Sequence, residues 1–279
     1  MNPVRLAAYT TLTMVSFAGN SLFCRIALKE TDIDAASFTS VRLLSGALIL
    51  WLLMRWQRQA PLAHGNWHSA LALFTYAVAL SFAYRSIDTG AGALMLFGAV
   101  QATMLIAGFI AGERMNAVQT AGFVAAMIGL VILVSPGVEA QSVLDSFMML
   151  ASGIAWGVYS MFGHGQPNPA AATTGNFLRA APLTIALSLL ALPWLTLDAR
   201  GVEYAVLSGA VTSALGYVLW YRVLQHIRVM TASTVQLSAP VIAAIGGIIL
   251  LDEALTRDLL VASVLILGGI GLVLRYGKH

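Results

Sequence analysis

Ten long apolar segments, five in each half of the chain, constrain the fold more than any other feature of this sequence. A helix that crosses the hydrocarbon core of a bilayer needs about 20 apolar residues, and each segment approaches that length. Because five is an odd number, the second half must enter the membrane in the opposite orientation to the first. Inverted repeats of this kind build transporters whose central site opens alternately to each side.

These segments predict an all-α integral membrane protein with ten transmembrane helices, arranged as two inverted five-helix repeats around a central cavity. The repeats are expected at residues 1–138 and 139–279. The predicted spans are 6–28, 35–54, 67–87, 91–111, 118–134, 143–162, 171–192, 202–224, 231–251 and 259–274.

The composition predicts the lipid bilayer as the main partner of the chain. It is 59% hydrophobic and only 10% charged, whereas about 25% of the residues are charged in a typical soluble domain. The basic residues form no interleaved aromatic and basic surface, so no nucleic-acid partner is expected. Cys24 is the only cysteine, which excludes an internal disulfide and a Cys-x-x-Cys metal or redox site.

The sequence predicts no enzyme, no cofactor and no metal site. It contains no Gly-x-Ser-x-Gly elbow, no His-Glu-x-x-His motif and no Walker loop. All twelve acids lie in loops or near predicted helix ends, which argues against cationic drugs as substrates and leaves proton coupling without an obvious carrier. An intramembrane enzyme or a non-transporting scaffold is the alternative from a different class, although a scaffold would not need polar stripes on eight spans.

The positions of the basic residues favour cytoplasmic N- and C-termini. With ten spans both termini lie on one side, and that side carries eight Lys and Arg residues against five on the other side. The positive-inside rule counts such residues in short loops. The eight are Arg5, Arg55, Arg58, Arg114, Arg222, Arg228, Arg275 and Lys278, and the five are Arg25, Lys29, Arg85, Arg200 and Arg257.

The two halves align at an offset of roughly 137 to 140 residues. Arg42 in the second span corresponds to Arg179 in the seventh. Glu113 at the end of the fourth span corresponds to Glu253 at the end of the ninth. Weaker matches follow in the same order in the other spans, which indicates a duplication.

A five-plus-five duplication with an Arg in the second span and an acid ending the fourth span of each half resembles the drug/metabolite transporter superfamily. The Gly-rich fifth span resembles its EamA branch, and the chain is most similar there to YddG-type bacterial amino-acid exporters. This resemblance implies a bacterial inner-membrane exporter with Trp156 and Pro240 at the substrate site. The aromatic, proline-containing stretch of those exporters is replaced by Leu-Phe-Gly-Ala-Val-Gln at residues 96–101, so aromatic selectivity does not follow from the resemblance.

The fifth and tenth spans differ in kind from the other eight. They are almost pure hydrocarbon and carry small residues at four-residue spacing, such as Gly122 with Ala126. Small residues allow close helix packing in lipid. We therefore expect these two helices to be structural, or to form the contact of a homodimer.

Polar side chains within the remaining spans are candidates for binding a small-molecule substrate. An unpaired amide in hydrocarbon costs several kcal/mol, so Asn20, Gln101 and Gln236 are expected to face a cavity or another helix. A plain interhelical hydrogen bond and a role in lining the cavity are both compatible with each. Pro240 frees the carbonyl of Gln236 and predicts a kink on the same stripe.

Aromatic side chains at helical spacing add the apolar part of the predicted site. Trp156 and Tyr159 lie deep in the sixth span, and Phe97 shares a stripe with Gln101. Tyr217 and Trp220 are candidates as well, but they are also compatible with an interfacial aromatic belt.

Arg42 and Arg179 are the most expensive side chains to place in a membrane, because an intramembrane guanidinium needs a partner. Their matching positions favour a shared structural role, with bonds to backbone carbonyls or to Glu113 and Glu253. Contact with a substrate carboxylate and snorkelling to the interface are the alternatives.

These features together predict an alternating-access exporter of small metabolites. Amino acids, including aromatic and apolar ones, are the substrates that the resemblance implies. A transporter of nucleotide sugars or lipid-linked precursors is the alternative in the same superfamily. It would need several basic groups in the cavity, where only Arg42 and Arg179 are available.

Overall fold

The structure, a computed structural model, describes residues 1–85, 89–134, 143–251 and 257–276, with side chains omitted at 89–94, 133–134, 244, 247–251 and 259. Within these ranges the chain forms ten helical spans and no strand. The first seven are α1 (Pro3–Glu30), α2 (Ala35–Trp56), α3 (Trp67–Ala83), α4 (Thr89–Ile110), α5 (Ala117–Val134), α6 (Val143–Gly163) and α7 (Pro169–Ala191). The last three are α8 (Ala199–Leu224), α9 (Val229–Gln236 continued by Ser238–Leu251) and α10 (Arg257–Tyr276).

Short polar residues set several of the helix starts. The side chain of each accepts a hydrogen bond from a backbone N–H in the first turn, which satisfies a donor that has no partner inside the helix. These N-cap residues are Asn2, Asp34, Asn66, Asn168 and Asp198. The predicted spans agree with the helices to within a few residues, and the largest difference is α3, which ends at Ala83 rather than at 87.

The outward surface confirms an integral membrane protein. Within the described part of the chain, five helices are long and apolar enough to cross a bilayer, and the other five spans contain shorter apolar helices. Large apolar side chains are exposed on these helices, among them Leu48, Ile106, Ile128, Leu189 and Val264. A surface of this kind is stable against lipid and would aggregate in water.

The helix contacts reflect the two repeats. α1 packs on α8 and α9, and α6 packs on α3 and α4. α2 packs on α7, and α5 packs on α10. Exchanging the halves converts the α1 contacts into the α6 contacts and leaves the α2–α7 and α5–α10 contacts unchanged, as a pseudo-twofold axis requires. The predicted boundary between residues 138 and 139 lies outside the described residues and stays a prediction.

α5 and α10 pack closely on each other within one chain. A Cβ atom placed on Gly122 would lie 2.7 Å from the carbonyl oxygen of Gly269, and one placed on Gly129 would lie 2.9 Å from that of Ala262. The small residues that the sequence singled out therefore serve an intrachain contact. A homodimer through the remaining faces of these helices stays a prediction.

Two helices in the second half are irregular next to the core. The middle of α8, Leu207–Leu215, is a π-helix of nine residues, a conformation that is rare and is often found at functional sites. α9 is interrupted at Leu237, shortly before Pro240, whose ring removes a helical hydrogen bond. Both irregular segments bring polar groups toward α1, α2, α4 and α6.

Candidate substrate-binding site

Aromatic rings from α1, α3, α6 and α8 form one buried cluster in the middle of the bundle. Trp156 is its centre, with ring centroids 4.7 Å from Tyr217, 4.9 Å from Tyr76 and 5.1 Å from Phe17. Tilted and edge-on pairs at these distances are favourable beyond their burial alone. We define the aromatic cluster as Phe17, Tyr76, Trp156, Tyr159, Tyr217 and Trp220. The rings of Tyr221 and Phe177 adjoin it, with centroids 5.0 Å from Tyr159 and 5.9 Å from Tyr217.

The burial of Tyr217 and Trp220 on α8 decides between a place in the site and a place in an interfacial aromatic belt. Tyr217 is 1% exposed and Trp220 is fully buried. The indole nitrogen of Trp220 donates a 3.0 Å hydrogen bond to the hydroxyl oxygen of Ser160 on α6. Residues of an interfacial belt would face lipid, so the structure places both rings in the core instead.

The three amides that the sequence selected are all buried and all bonded to another helix. Nε1 of Trp156 donates to Oε1 of Gln236 at 2.7 Å, and Nε2 of Gln236 lies 3.1 Å from the sulfur of Met104. Nε2 of Gln101 donates to the carbonyl of Ser233 at 2.7 Å, while Oε1 of Gln101 is buried with no partner among the described residues. These bonds join α9 to α4 and α6.

Asn20 connects α1 to α3 and α8. Its side-chain nitrogen donates to the hydroxyl of Tyr76 at 3.1 Å, and its side-chain oxygen accepts from the hydroxyl of Ser208 at 2.5 Å. Ser208 belongs to the π-helical segment of α8. The irregular segment therefore supplies a polar partner to the first helix.

Arg42 lies beside the aromatic cluster. Nη2 donates to the hydroxyl oxygens of Tyr217 at 2.9 Å and Tyr76 at 3.2 Å, and Nε donates to the hydroxyl oxygen of Ser213 at 3.1 Å. The guanidinium carbon is also 5.2 Å from the centre of the Tyr76 ring. The expected bonds to backbone carbonyls or to Glu113 are not the ones that Arg42 makes.

Arg179 occupies the matching position in the repeat but has a different environment. It is only partly buried, and it donates to the backbone carbonyls of His64, Gly175 and Leu62 at 2.9, 3.0 and 3.2 Å. These bonds hold the connection between α2 and α3 against α7. Glu253, the other partner considered for Arg179, lies outside the described residues.

Phe97 and Pro240 make no ring contact with the cluster among the described residues. The Phe97 side chain is half-buried and packs against the core, and Pro240 is buried beside the interruption in α9. Sequence reasoning missed Phe17 and Tyr76. Phe17 lies three residues before Asn20 and therefore on the same helical face, so the signal for it was present.

Each end of the bundle carries a recess outside the aromatic cluster. One of about 640 Å³ lies at the end that holds the α1–α2 connection, and its lining includes Asp34, Arg85 and Trp194. The other, of about 410 Å³, lies at the end that holds the termini and is lined in part by Glu113 and His164. The cluster lies between two recesses, which is the arrangement that alternate opening requires.

Glu113 has a structural role at the terminal end. The carboxylate of Glu113 accepts hydrogen bonds of 3.0 Å from the backbone N–H groups of Val229 and Met230, and so caps the start of α9. Burial lowers the pKa of His164, with Glu113 opposing that change. Nε2 of His164 is buried and has no hydrogen-bond partner among the described residues.

Comparison with known proteins places these features in context. The EamA-like transporter family matches residues 6–135 and again residues 145–275. An uncharacterized protein of Pseudomonas aeruginosa is 48% identical over 97% of this chain and 94% of its own length.

Two more distant relatives have functional names. One from Streptantibioticus cattleyicolor, named a probable terminal-alkyne amino-acid exporter, is 24% identical over 95% of this chain and 91% of its own length. One from Salmonella typhimurium, named a probable amino-acid metabolite efflux pump, is 26% identical over 66% of this chain and 67% of its own.

A solved crystal structure shares the fold. It superposes with a TM-score of 0.78 over 96% of this chain and 99% of its own, at 16% identity. Similarity at this level of identity concerns the fold alone.

Proposed function

Because the chain belongs to the EamA-like transporter family, we propose that it exports amino acids, including aromatic and apolar ones, across the bacterial inner membrane by alternating access. The main support for amino acids as the substrate class is the aromatic cluster, which adjoins the Arg42 guanidinium and buried amides. An amino acid with an apolar side chain needs the same combination of surfaces. The names of the two distant exporters point to the same class of substrate.

In this proposal the apolar part of the substrate binds among the rings of the aromatic cluster. Trp156, Tyr159, Tyr217 and Trp220 supply most of that surface, and Phe97 extends it toward α4. The polar groups of the substrate bind Asn20, Gln101 and Gln236, together with backbone carbonyls freed by Pro240 near the interruption of α9 at Leu237. These side chains come from both repeats, so a substrate bound among them contacts both moving parts.

Alternate opening follows from the helix contacts. α1–α4 and α6–α9 interlock around the cluster, because α1 packs on α8 and α9 while α6 packs on α3 and α4. Rocking these two groups would expose the cluster first to one recess and then to the other. The termini are proposed to lie in the cytoplasm, on the side with the larger number of Lys and Arg residues.

Flux measurements in proteoliposomes test the proposal. The panel contains labelled Phe, Trp, Met, Thr, Lys and a nucleotide sugar, each with and without a pH gradient. We expect saturable flux of Phe, Trp and Met. Flux of the nucleotide sugar alone, or of no compound by a folded protein, would overturn the proposal.

Matched variants show whether flux uses the cluster. Trp156→Ala and Gln236→Ala are expected to impair transport while membrane insertion and yield stay normal. Unchanged flux in both variants would place the substrate elsewhere. Trp56→Ala is the control, since the Trp56 side chain is 82% exposed at the end of α2.

A further inference from the structure

Arg42 carries a charge that its surroundings do not neutralise. The side chain is fully buried, although it starts about 10 Å along α2 from the nearer helix end. Its hydrogen-bond acceptors are the hydroxyl oxygens of Tyr76, Tyr217 and Ser213 rather than carboxylate oxygens. Among the described residues, the guanidinium has no negatively charged hydrogen-bond partner.

The same guanidinium also has unused donors. An arginine side chain has five N–H groups in a planar fork. Nε and Nη2 are bonded to hydroxyls, but Nη1 is buried and has no hydrogen-bond partner among the described residues. Leaving charged donors unpaired away from water is costly, because they lose their hydration without replacement.

Arg179 shows how this fold uses an arginine for structure alone. It remains partly exposed, and its bonds go to backbone carbonyls that link a loop to a helix. The Arg42 guanidinium instead donates to hydroxyls from α3 and α8. These bonds fix its orientation and leave the Nη1 donors unbonded. A preorganised cation with a free donor pair is suited to an anion that arrives from outside.

From these observations we infer that Arg42 binds the carboxylate of the substrate through Nη1. The inference rests on the proposed function and specifies its site: the ligand is a small organic monocarboxylate whose apolar group lies against the rings. The Tyr76 ring joins the two parts, since it lies 5.2 Å from the guanidinium carbon and 4.9 Å from the Trp156 ring. One guanidinium matches a single negative charge, whereas the diphosphate group of a nucleotide sugar would need several cations.

Binding of a matched acid and amide tests the inference without any transport. Phenylacetate and phenylacetamide have the same ring and length, and only the first is charged at pH 7. Affinities are obtained from ligand-dependent thermal unfolding of the purified protein in detergent. We expect the wild-type protein to bind phenylacetate about 10- to 100-fold more tightly than phenylacetamide. Equal binding, or binding of neither compound, would overturn the inference.

Variants of Arg42 test whether this side chain causes the preference for phenylacetate over phenylacetamide. Arg42→Gln is expected to bring the ratio of the two affinities close to one by weakening phenylacetate alone. A merely structural arginine would weaken both ligands together or neither. Arg55→Gln is the control, because Arg55 is exposed at the other end of the same helix and lies over the Trp51 ring.

A conservative variant keeps the test decisive if Arg42→Gln does not fold. Arg42→Lys retains the charge but not the planar fork, so it should keep a preference for phenylacetate that is several-fold weaker than that of the wild type. An unchanged preference in Arg42→Lys would contradict binding through Nη1.

The failures of the two proposals are distinguishable. Acid-selective binding through Arg42 without flux of any amino acid would sustain the inference and overturn the proposed function. Flux of amino acids by a protein that binds phenylacetate and phenylacetamide equally would sustain the proposed function and overturn the inference about Arg42.

Discussion

Nε1 of Trp156 donates a 2.7 Å hydrogen bond to Oε1 of Gln236, and this bond joins α6 to α9 at the centre of the bundle. Both side chains are buried, so water cannot replace the bond when it is lost. The bond also fixes the Trp156 ring against Tyr76, Tyr217 and Phe17. It therefore links the geometry of the proposed site to the packing of two helices from the second repeat.

The first prediction concerns this bond. Trp156→Phe keeps an aromatic ring but removes the N–H donor, so it leaves Oε1 of Gln236 buried without that partner. We expect amino-acid flux to fall about tenfold, as the loss of one buried hydrogen bond implies. Flux in proteoliposomes at matched protein content measures the effect, and Trp56→Phe is the control. Full activity of Trp156→Phe would show that the bond is not needed.

A double-mutant cycle sharpens that result. Trp156→Phe and Gln236→Ala remove the two ends of one interaction, so their combined effect should be smaller than the sum of the separate effects. Additive losses would mean that each side chain acts through other contacts.

The second prediction distinguishes the two intramembrane arginines. Arg179→Gln removes bonds from the guanidinium to the carbonyls of His64, Gly175 and Leu62. We expect it to lower the free energy of unfolding by about 1–3 kcal/mol. Its preference for phenylacetate over phenylacetamide should stay at the wild-type ratio. Loss of that preference would contradict a purely structural role for Arg179.

The third prediction uses adjacent glycines on α10. A Cβ on Gly269 would collide with the backbone carbonyl of Gly122 on α5, whereas a Cβ on Gly268 has no atom within 4 Å. Gly269→Ala is therefore expected to destabilise the protein by about 1–3 kcal/mol through overpacking. Thermal unfolding in detergent measures the change. Gly268→Ala should match the wild type, and equal destabilisation by both variants would disprove the close contact.

The fourth prediction concerns acid pH and Asp34, which caps α2. Burial raises the pKa of Asp34. Hydrogen bonds from Ser37, Thr196 and Ala36 together lower this pKa by more than burial raises it, so it lies below its usual range. A lowered carboxyl pKa contributes stability above about pH 4. That contribution is lost as the pH falls through the lower value in the folded protein.

Asp34→Asn provides the comparison. It keeps one acceptor oxygen for the helix start but removes the charge and the bond from the Thr196 N–H to Oδ2. The wild type should be more stable than Asp34→Asn at pH 7, and the difference should shrink as the pH falls from about 4 through the lower pKa of the folded protein. A difference in unfolding free energy that is constant between pH 7 and pH 3 would show that the Asp34 charge does not stabilise the fold.

Some parts of the fold were predictable because the membrane leaves few choices. Buried amides must be bonded, and Asn20, Gln101 and Gln236 are each bonded to another helix. The helix bounds followed from the lengths of the apolar segments. The repeat followed from the matching of Arg42 with Arg179, although the two arginines have different partners.

Other parts depend on packing that a pattern of residue types does not encode. The substrate site predicted from the sequence contains no residue of α3, yet the Tyr76 ring of this helix reaches the cluster. α3 is apolar on every side, so hydrophobic periodicity gives little contrast between its faces. The π-helix of Leu207–Leu215 has no sequence signature that we recognised, yet it positions Ser208 and Ser213.

The fifth prediction follows from the position of the single cysteine. Cys24 is fully buried in the half of α1 that leads to the α1–α2 connection. Alternating access requires that half to open, so a membrane-impermeant maleimide should label Cys24 in spheroplasts slowly, and at a rate that substrate changes severalfold. Asp32→Cys in a Cys24→Ser background is the control, since residue 32 is exposed and should label rapidly at any substrate concentration. Labelling of Cys24 as fast as that control would mean that α1 is not closed at rest. Labelling only from the opposite side would invert the proposed orientation.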